Sequence, residues 1–146
     1  MVPTEEVVLS RIIQTDGVGK ERTRLTRAVV LAIREMMNQT QTNARTRDLA
    51  AFIVLALEAI AANIDKTVTP WEKRDYWIKA DRFRMEWDWT SRYAQQIRQA
   101  VLADDWPTVA MTVAKVGQKL AKVEVPQRHR LGTPWEGAWE KLSSSN

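Results

Sequence analysis

Hydrophobic residues recur along this chain every three or four positions, and no segment alternates hydrophobic and polar residues as a strand would. The spacing predicts a short helix after Thr4, ending at residues 16–19, and a second helix over about 20–38. One face of the second helix carries Leu25, Val29, Ala32, Ile33 and Met36. This is the pattern of amphipathic helices that bury one side.

A third helix is predicted from about residue 43 to residue 64, with Asn43 or Thr46 as its N-cap. Its main stripe consists of Leu49, Ile53, Ala56, Ile60 and Ile64. The opposite face is also apolar, at Ala51, Leu55 and Ala62. A helix that is apolar nearly all round is typical of the centre of a bundle.

A repeated tetrapeptide suggests two more helix starts. Thr69-Pro70-Trp71-Glu72 places Thr at the N-cap, Pro at the first helical position and Glu where it reaches back to the cap. The same four residue types recur at 133–136, although the surrounding sequences differ. We interpret this as one capping device used twice, without domain duplication.

The fourth helix is predicted over about 70–103. One stripe steps four and three residues through Tyr76, Ala80, Phe83, Trp87, Thr90, Ala94, Ile97 and Val101. A second stripe on the opposite side holds Trp71, Ile78, Arg82, Met85, Trp89 and Tyr93. A fifth helix then begins near Pro107, with Val109, Val113, Val116, Leu120 and Val123 in register.

These elements predict an all-α fold: a bundle of four to five helices with one long central helix at about 70–103 and a short C-terminal helical arm. Residues 1–123 are expected to form the single bundle domain. Residues 124–146 are expected to form an extended connector and a short helix, packed on the bundle or on a partner subunit.

Composition removes most kinds of site chemistry. The 146-residue chain has no Cys and one His, which excludes disulfides, thiolate sites and a zinc site built from imidazole and thiolate groups. No HExxH, GxSxG, GxGxxG or GxxxxGK[ST] pattern occurs. We therefore expect no enzyme activity, catalytic residue, metal or cofactor.

No segment resembles a leader or a membrane span. The first residues are acidic, and the most apolar run, residues 49–62, carries Glu58 and is shorter than the ~20 residues that a spanning helix needs. We expect a cytoplasmic protein that does not enter a membrane.

The net charge of +4 comes from two basic segments. Residues 20–47 hold seven basic and two acidic residues, and residues 115–130 hold five and one. Basic stripes on the second and fifth helices make nucleic-acid or polyanion binding an alternative function. The candidate anion-binding residues are Lys20, Arg24, Arg27, Arg34, Lys115, Lys119 and Lys122.

The seven Trp residues favour association as the leading function. Trp, Tyr, Met and Arg are enriched at protein interfaces, although the same side chains also pack cores or line ligand pockets. The candidate interface residues are Trp71, Trp77, Ile78, Arg82, Met85, Trp89, Tyr93, Trp135 and Trp139. The expectation is a non-enzymatic association or scaffold protein, homo-oligomeric through this face, with another protein as a further partner.

Two ionisable residues are interpreted as structural. Glu58 is the single charge between Asp48 and Asp65, and a hairpin turning near residue 67 would bring it to Tyr76, Arg74 or Lys79. His129 lies between two arginines in a predicted loop, where we expect it to be exposed to solvent.

Overall fold

The computed structural model describes residues 17–144, and this part of the chain contains helices and connecting turns but no strand. Its six helices are α1 (Val18–Met37), α2 (Ala44–Lys73), α3 (Trp77–Trp87), α4 (Trp89–Leu102), α5 (Trp106–Lys119) and α6 (Ala138–Ser144). The all-α bundle expected from the hydrophobic spacing is confirmed. The helix predicted after Thr4 lies outside the described residues.

Helix α1 buries the face that its sequence indicates. Leu25, Val29, Ala32 and Ile33 are buried, and Met36 packs at the edge of the core. The helix lies against α2 along most of its length. The 3.6-residue period therefore identified both the helix and its buried side.

Helix α2 occupies the centre of the bundle, packing against α1, α3, α4 and α6. Asn43 caps its N-terminus: the side-chain oxygen accepts from the backbone N–H of Arg45 and Thr46, and the Thr46 hydroxyl accepts from the Asn43 N–H. Both sides of α2 are buried, including Phe52 and Leu55. The helix predicted to be apolar nearly all round is the one that other helices surround.

The predicted single helix over 70–103 is wrong, because α2 continues through Pro70 to Lys73. Pro70 has no N–H to donate to the carbonyl of Lys66, four residues earlier, but it lies on an exposed side of the helix. The Thr69 hydroxyl donates to the Asp65 carbonyl instead of capping a helix start. Continuing the helix buries Val68 and carries Trp71 to the neighbouring helix, which offsets the missing bond.

The chain reverses at residues 74–76, and a second break at Asp88 separates α3 from α4. Most of the first stripe predicted for the fourth helix faces the core on both sides of this break. Ala80, Thr90, Ala94, Ile97 and Val101 are buried, and Phe83 and Trp87 are half-buried. Tyr76 is the exception, since it lies in the hairpin turn and is exposed. The stripe was predicted correctly, although the helix that carries it is interrupted.

Helix α5 begins at the predicted place. The Asp105 side chain accepts from the Thr108 N–H, and Pro107 lies in the first turn. Val109, Val113, Val116 and Leu120 are buried, and α5 packs mainly against α4. Four of the five residues in the stripe predicted for the fifth helix are thus buried, and Val123, which lies beyond the end of α5, is half-buried.

The C-terminal arm packs on its own bundle. Trp135, Ala138 and Leu142 are buried against the core, and α6 lies along α2. The second Thr-Pro-Trp-Glu segment is a turn rather than a helix start, because the Glu136 N–H donates to the Thr133 carbonyl and α6 begins at Ala138. Among residues 17–144, no helix has the length and hydrophobicity needed to cross a bilayer.

Candidate functional site

The α2–α3 hairpin is built on a Schellman turn. The Tyr76 N–H donates to the Trp71 carbonyl at 2.9 Å, and the Asp75 N–H donates to the Glu72 carbonyl at 3.0 Å. Asp75 adopts a φ of 64°, a left-handed conformation that glycine usually supplies at this position. The turn places α3 beside the C-terminal half of α2 and brings their aromatic side chains together.

A row of aromatic rings follows from this hairpin. Trp71 of α2 meets Phe83 edge-on at 5.4 Å between ring centroids, and Phe83 lies 6.4 Å from Trp87. Trp87 stacks on Trp89 at 6.1 Å across the break at Asp88, and Trp89 lies 6.0 Å from Tyr93. The row spans α2, α3 and α4, so five of the aromatic side chains serve mainly to join these helices.

Arg22 of α1 closes the inner side of this row. Its guanidinium lies 5.0 Å from the Phe83 ring centroid and 5.9 Å from that of Trp87. It also donates to the Asn63 side-chain oxygen at 2.9 Å and to the Thr67 hydroxyl at 3.0 Å. Burial lowers the pKa of Arg22 below its usual value. This arginine is therefore part of the packing between three helices.

The other side of α3 is open to solvent. Trp77, Ile78 and Met85 expose 53%, 72% and 72% of their surface, and Arg82 is exposed beside them. Ile78, Arg82 and Met85 are spaced four and three residues apart and therefore share one side of the helix. We call Trp77, Ile78, Arg82 and Met85 the outer face of α3.

The nine candidate interface residues thus divide into two groups. The outer face holds four of them. Trp89 and Trp135 are buried in the core of their own chain, and Trp71, Tyr93 and Trp139 are half-buried in packing contacts. Burial of Trp89 and Trp135 corrects the expectation that they lie at a surface. Sequence spacing alone does not show which of two apolar stripes faces the bundle.

Charged side chains secure the hairpin around the outer face. Arg84 forms ion pairs with Asp65, and with Glu72 at 3.0 Å, both on α2. The hydrogen bonds that Arg84 donates to Asp65 and Glu72 raise its pKa. The Lys79 ammonium lies 4.2 Å from the Trp71 ring centroid. These contacts fix α3 against α2 and leave the outer face of α3 exposed.

Glu58 has a different partner from the one expected. Its carboxylate accepts from Arg98 of α4 at 2.7 and 3.1 Å, and none of Tyr76, Arg74 or Lys79 contacts it. The reason is the position of the hairpin, which turns at 74–76 rather than near 67. The expectation of a structural pair holds, with a change of partner.

The predicted basic residues do not form one surface with a common cavity. Arg24 and Arg27 line a cavity together with Arg128, His129 and Arg130 of the connector after α5. Lys20, Arg34, Lys115, Lys119 and Lys122 are exposed and do not line it. His129 is half-buried in this wall, which corrects its expected exposure. The consecutive basic residues Arg128, His129 and Arg130 are the feature of the sequence that could have indicated this part of the cavity wall.

Neither metal chemistry nor a known relative indicates a function. Within residues 17–144, no group of three or more His, Cys, Asp or Glu side chains is arranged to hold a metal ion. Comparison of the chain with protein-family models, with curated proteins and with solved structures finds no match in any of the three. The function has therefore to be inferred from the side chains themselves.

Proposed function

We propose that this chain is a non-enzymatic association protein that forms homo-oligomers through the outer face of α3. The observation that supports this most strongly is the exposure of Trp77, Ile78 and Met85 on one short helix. Large apolar side chains clustered on a surface are costly in water and mark contact sites. The cytoplasmic location expected from the sequence stays a prediction.

The composition of the outer face suits a protein partner. Trp, Met and Arg are enriched at protein interfaces, and Trp and Arg are also enriched among the residues that contribute most of the binding energy. Arg82 lies between Ile78 and Met85, so its aliphatic stem extends the apolar surface while its guanidinium remains available for a carboxylate.

The order of residues along α3 suits a second copy of the same chain. Two α3 helices that cross antiparallel about a twofold axis near Arg82 place Ile78 of one copy opposite Met85 of the other. The same arrangement brings Arg82 beside Asp81 across the axis, so apolar groups meet apolar groups and opposite charges meet. A symmetric dimer is therefore the arrangement that we propose.

Sedimentation velocity over a range of protein concentrations tests this proposal. We expect the native chain to be dimeric at high micromolar concentration and the Ile78→Glu/Met85→Glu variant to be monomeric, because each dimer would bury four unpaired carboxylates. Met111→Glu is the matched control. Met111 is 58% exposed on α5, away from the outer face, so this variant should associate as the native chain does.

A native chain that stays monomeric at high micromolar concentration would show that the outer face does not bind a second copy. Equal association of all three proteins would also contradict the proposal, because the contact would then lie elsewhere. Far-UV circular dichroism of each variant tests whether the helices remain folded. Both substituted residues are largely exposed, so we expect the helical content to be unchanged.

A further inference from the structure

A cavity of about 410 Å³ lies between the N-terminal half of α1 and the connector that follows α5. Its wall consists of Arg24, Arg27, Pro126, Arg128, His129, Arg130 and Leu131. Arg24 and Arg27 are three residues apart and therefore share one side of α1. The cavity is therefore lined by two basic segments that are distant in the sequence.

Every polar side chain that residues 17–144 contribute to this wall is a hydrogen-bond donor. The four guanidinium groups have no acceptor. The Nδ1 atom of His129 accepts from the Leu131 N–H at 3.0 Å, so the neutral ring carries its proton on Nε2. Among residues 17–144, no carboxylate lines the cavity. Such a wall suits a ligand that offers acceptors only.

Three of the four arginines in the wall have no carboxylate among the described residues close enough to form an ion pair. Within the described part of the chain, Arg27, Arg128 and Arg130 have no carboxylate within 4.0 Å. Like charges that converge in a concave site raise the local potential and attract anions. Arg130 also adopts a φ of 55°, a left-handed conformation that is uncommon for a residue with a side chain. A bound anion would offset this convergence of charge.

We propose that this cavity binds a compact, multiply charged phosphate, such as a phosphate monoester or a diphosphate. Guanidinium groups match phosphate oxygens in bidentate geometry, and four of them are present. The volume falls at the lower end of small-ligand pockets, about 300–1,000 Å³. The site is separate from the outer face of α3 and does not depend on the proposed self-association.

A nucleic-acid strand fits this wall less well. Binding of single strands uses aromatic rings on which bases stack, and no Trp, Tyr or Phe side chain lines the cavity. Backbone binding uses an extended basic track, whereas Lys115, Lys119 and Lys122 lie outside this wall. The clustering of these arginines around one cavity favours one phosphate group held at one place.

Isothermal titration of the full chain with inorganic pyrophosphate tests the proposal. We expect one site per chain at low salt, with Arg27→Gln and Arg130→Gln each weakening binding about tenfold or more, because each removes charge-assisted hydrogen bonds. Arg74→Gln is the control. Arg74 is exposed at the hairpin turn, outside the cavity wall, so this variant should bind as the native chain does.

Three results would overturn the proposal. One is unchanged affinity in both cavity variants, and another is equal weakening by Arg74→Gln, which would indicate general surface charge. The third is binding of a short DNA duplex without binding of pyrophosphate, with affinity falling steeply between 50 and 200 mM salt, which would assign these arginines to nucleic acid. Circular dichroism of the variants separates loss of binding from loss of fold.

Discussion

The Asp48 carboxylate in α2 accepts a hydrogen bond from the backbone N–H of Trp139 in α6, 2.9 Å away. Its second oxygen accepts from the Gly137 N–H at 3.2 Å. One side chain of the central helix thus caps the first turn of α6, where Trp139 lies 91 positions later in the sequence. The Arg47 guanidinium lies 5.9 Å from the Trp139 ring centroid and adds to the same contact.

Removing this cap should loosen the C-terminal arm. We expect Asp48→Ala to lower the free energy of unfolding by about 1–2 kcal/mol, because two backbone N–H groups lose their acceptor. Hydrogen exchange should show lost protection at residues 137–139. Asp88→Ala is the control, since Asp88 makes only an exposed 3.9 Å ion pair with Arg92, and its effect should be small. Unchanged protection at 137–139 in Asp48→Ala would show that apolar packing alone holds the arm.

Two aspartates that follow helices adopt the left-handed backbone conformation, and replacing each by glycine should change stability differently. Asp75 and Asp104 both follow a helix with positive φ, at 64° and 57°. We expect Asp75→Gly to raise the free energy of unfolding by about 0.5 kcal/mol, because glycine removes the steric cost of this conformation. Urea denaturation measures the change.

Asp104→Gly is the matched comparison, because the Asp104 side chain also accepts from the Trp106 indole N–H at 2.6 Å. Losing that bond costs about 1 kcal/mol, so this variant should be less stable than Asp75→Gly by about that amount. Equal stabilisation by both substitutions would mean that the indole bond contributes nothing.

Arg22 should matter for stability more than an exposed basic residue of the same helix. We expect Arg22→Met to cost about 1–3 kcal/mol, because the fully buried Asn63 loses the donor to its side-chain oxygen. Lys20→Met, at an exposed position of the same helix, should change stability by less than about 0.5 kcal/mol.

The double variant Arg22→Met/Asn63→Leu tests the cause. Asn63→Leu removes the acceptor that Arg22→Met leaves unsatisfied, but it also removes the side-chain N–H that donates to the Val18 carbonyl at 2.8 Å. The double variant should therefore lose less stability than the sum of the losses of the two single variants. Additive losses from Arg22→Met and Asn63→Leu in urea denaturation would contradict the assigned contact.

The spacing of hydrophobic residues predicts the helical class, the buried faces of α1, α2 and α5, and the buried stripe from Ala80 to Val101. These features depend on which side of a helix is apolar, and a period of 3.6 residues displays that directly. The helix start predicted at 69–72 is wrong because these four residues act as a cap only where a helix begins. Burial of Val68 and the contact of Trp71 with Phe83 continue the helix through it.

Other features depend on how the helices pack together. It placed Trp89 in the core and Ile78 at the surface, although both belong to the same sequence stripe. It also joined Asp48 to α6, and brought Arg27 to Arg130 at one cavity. These relationships arise from contacts between segments far apart in the chain. The energies of these contacts depend on where each helix ends and where the chain turns, and a local pattern of residues does not specify those positions.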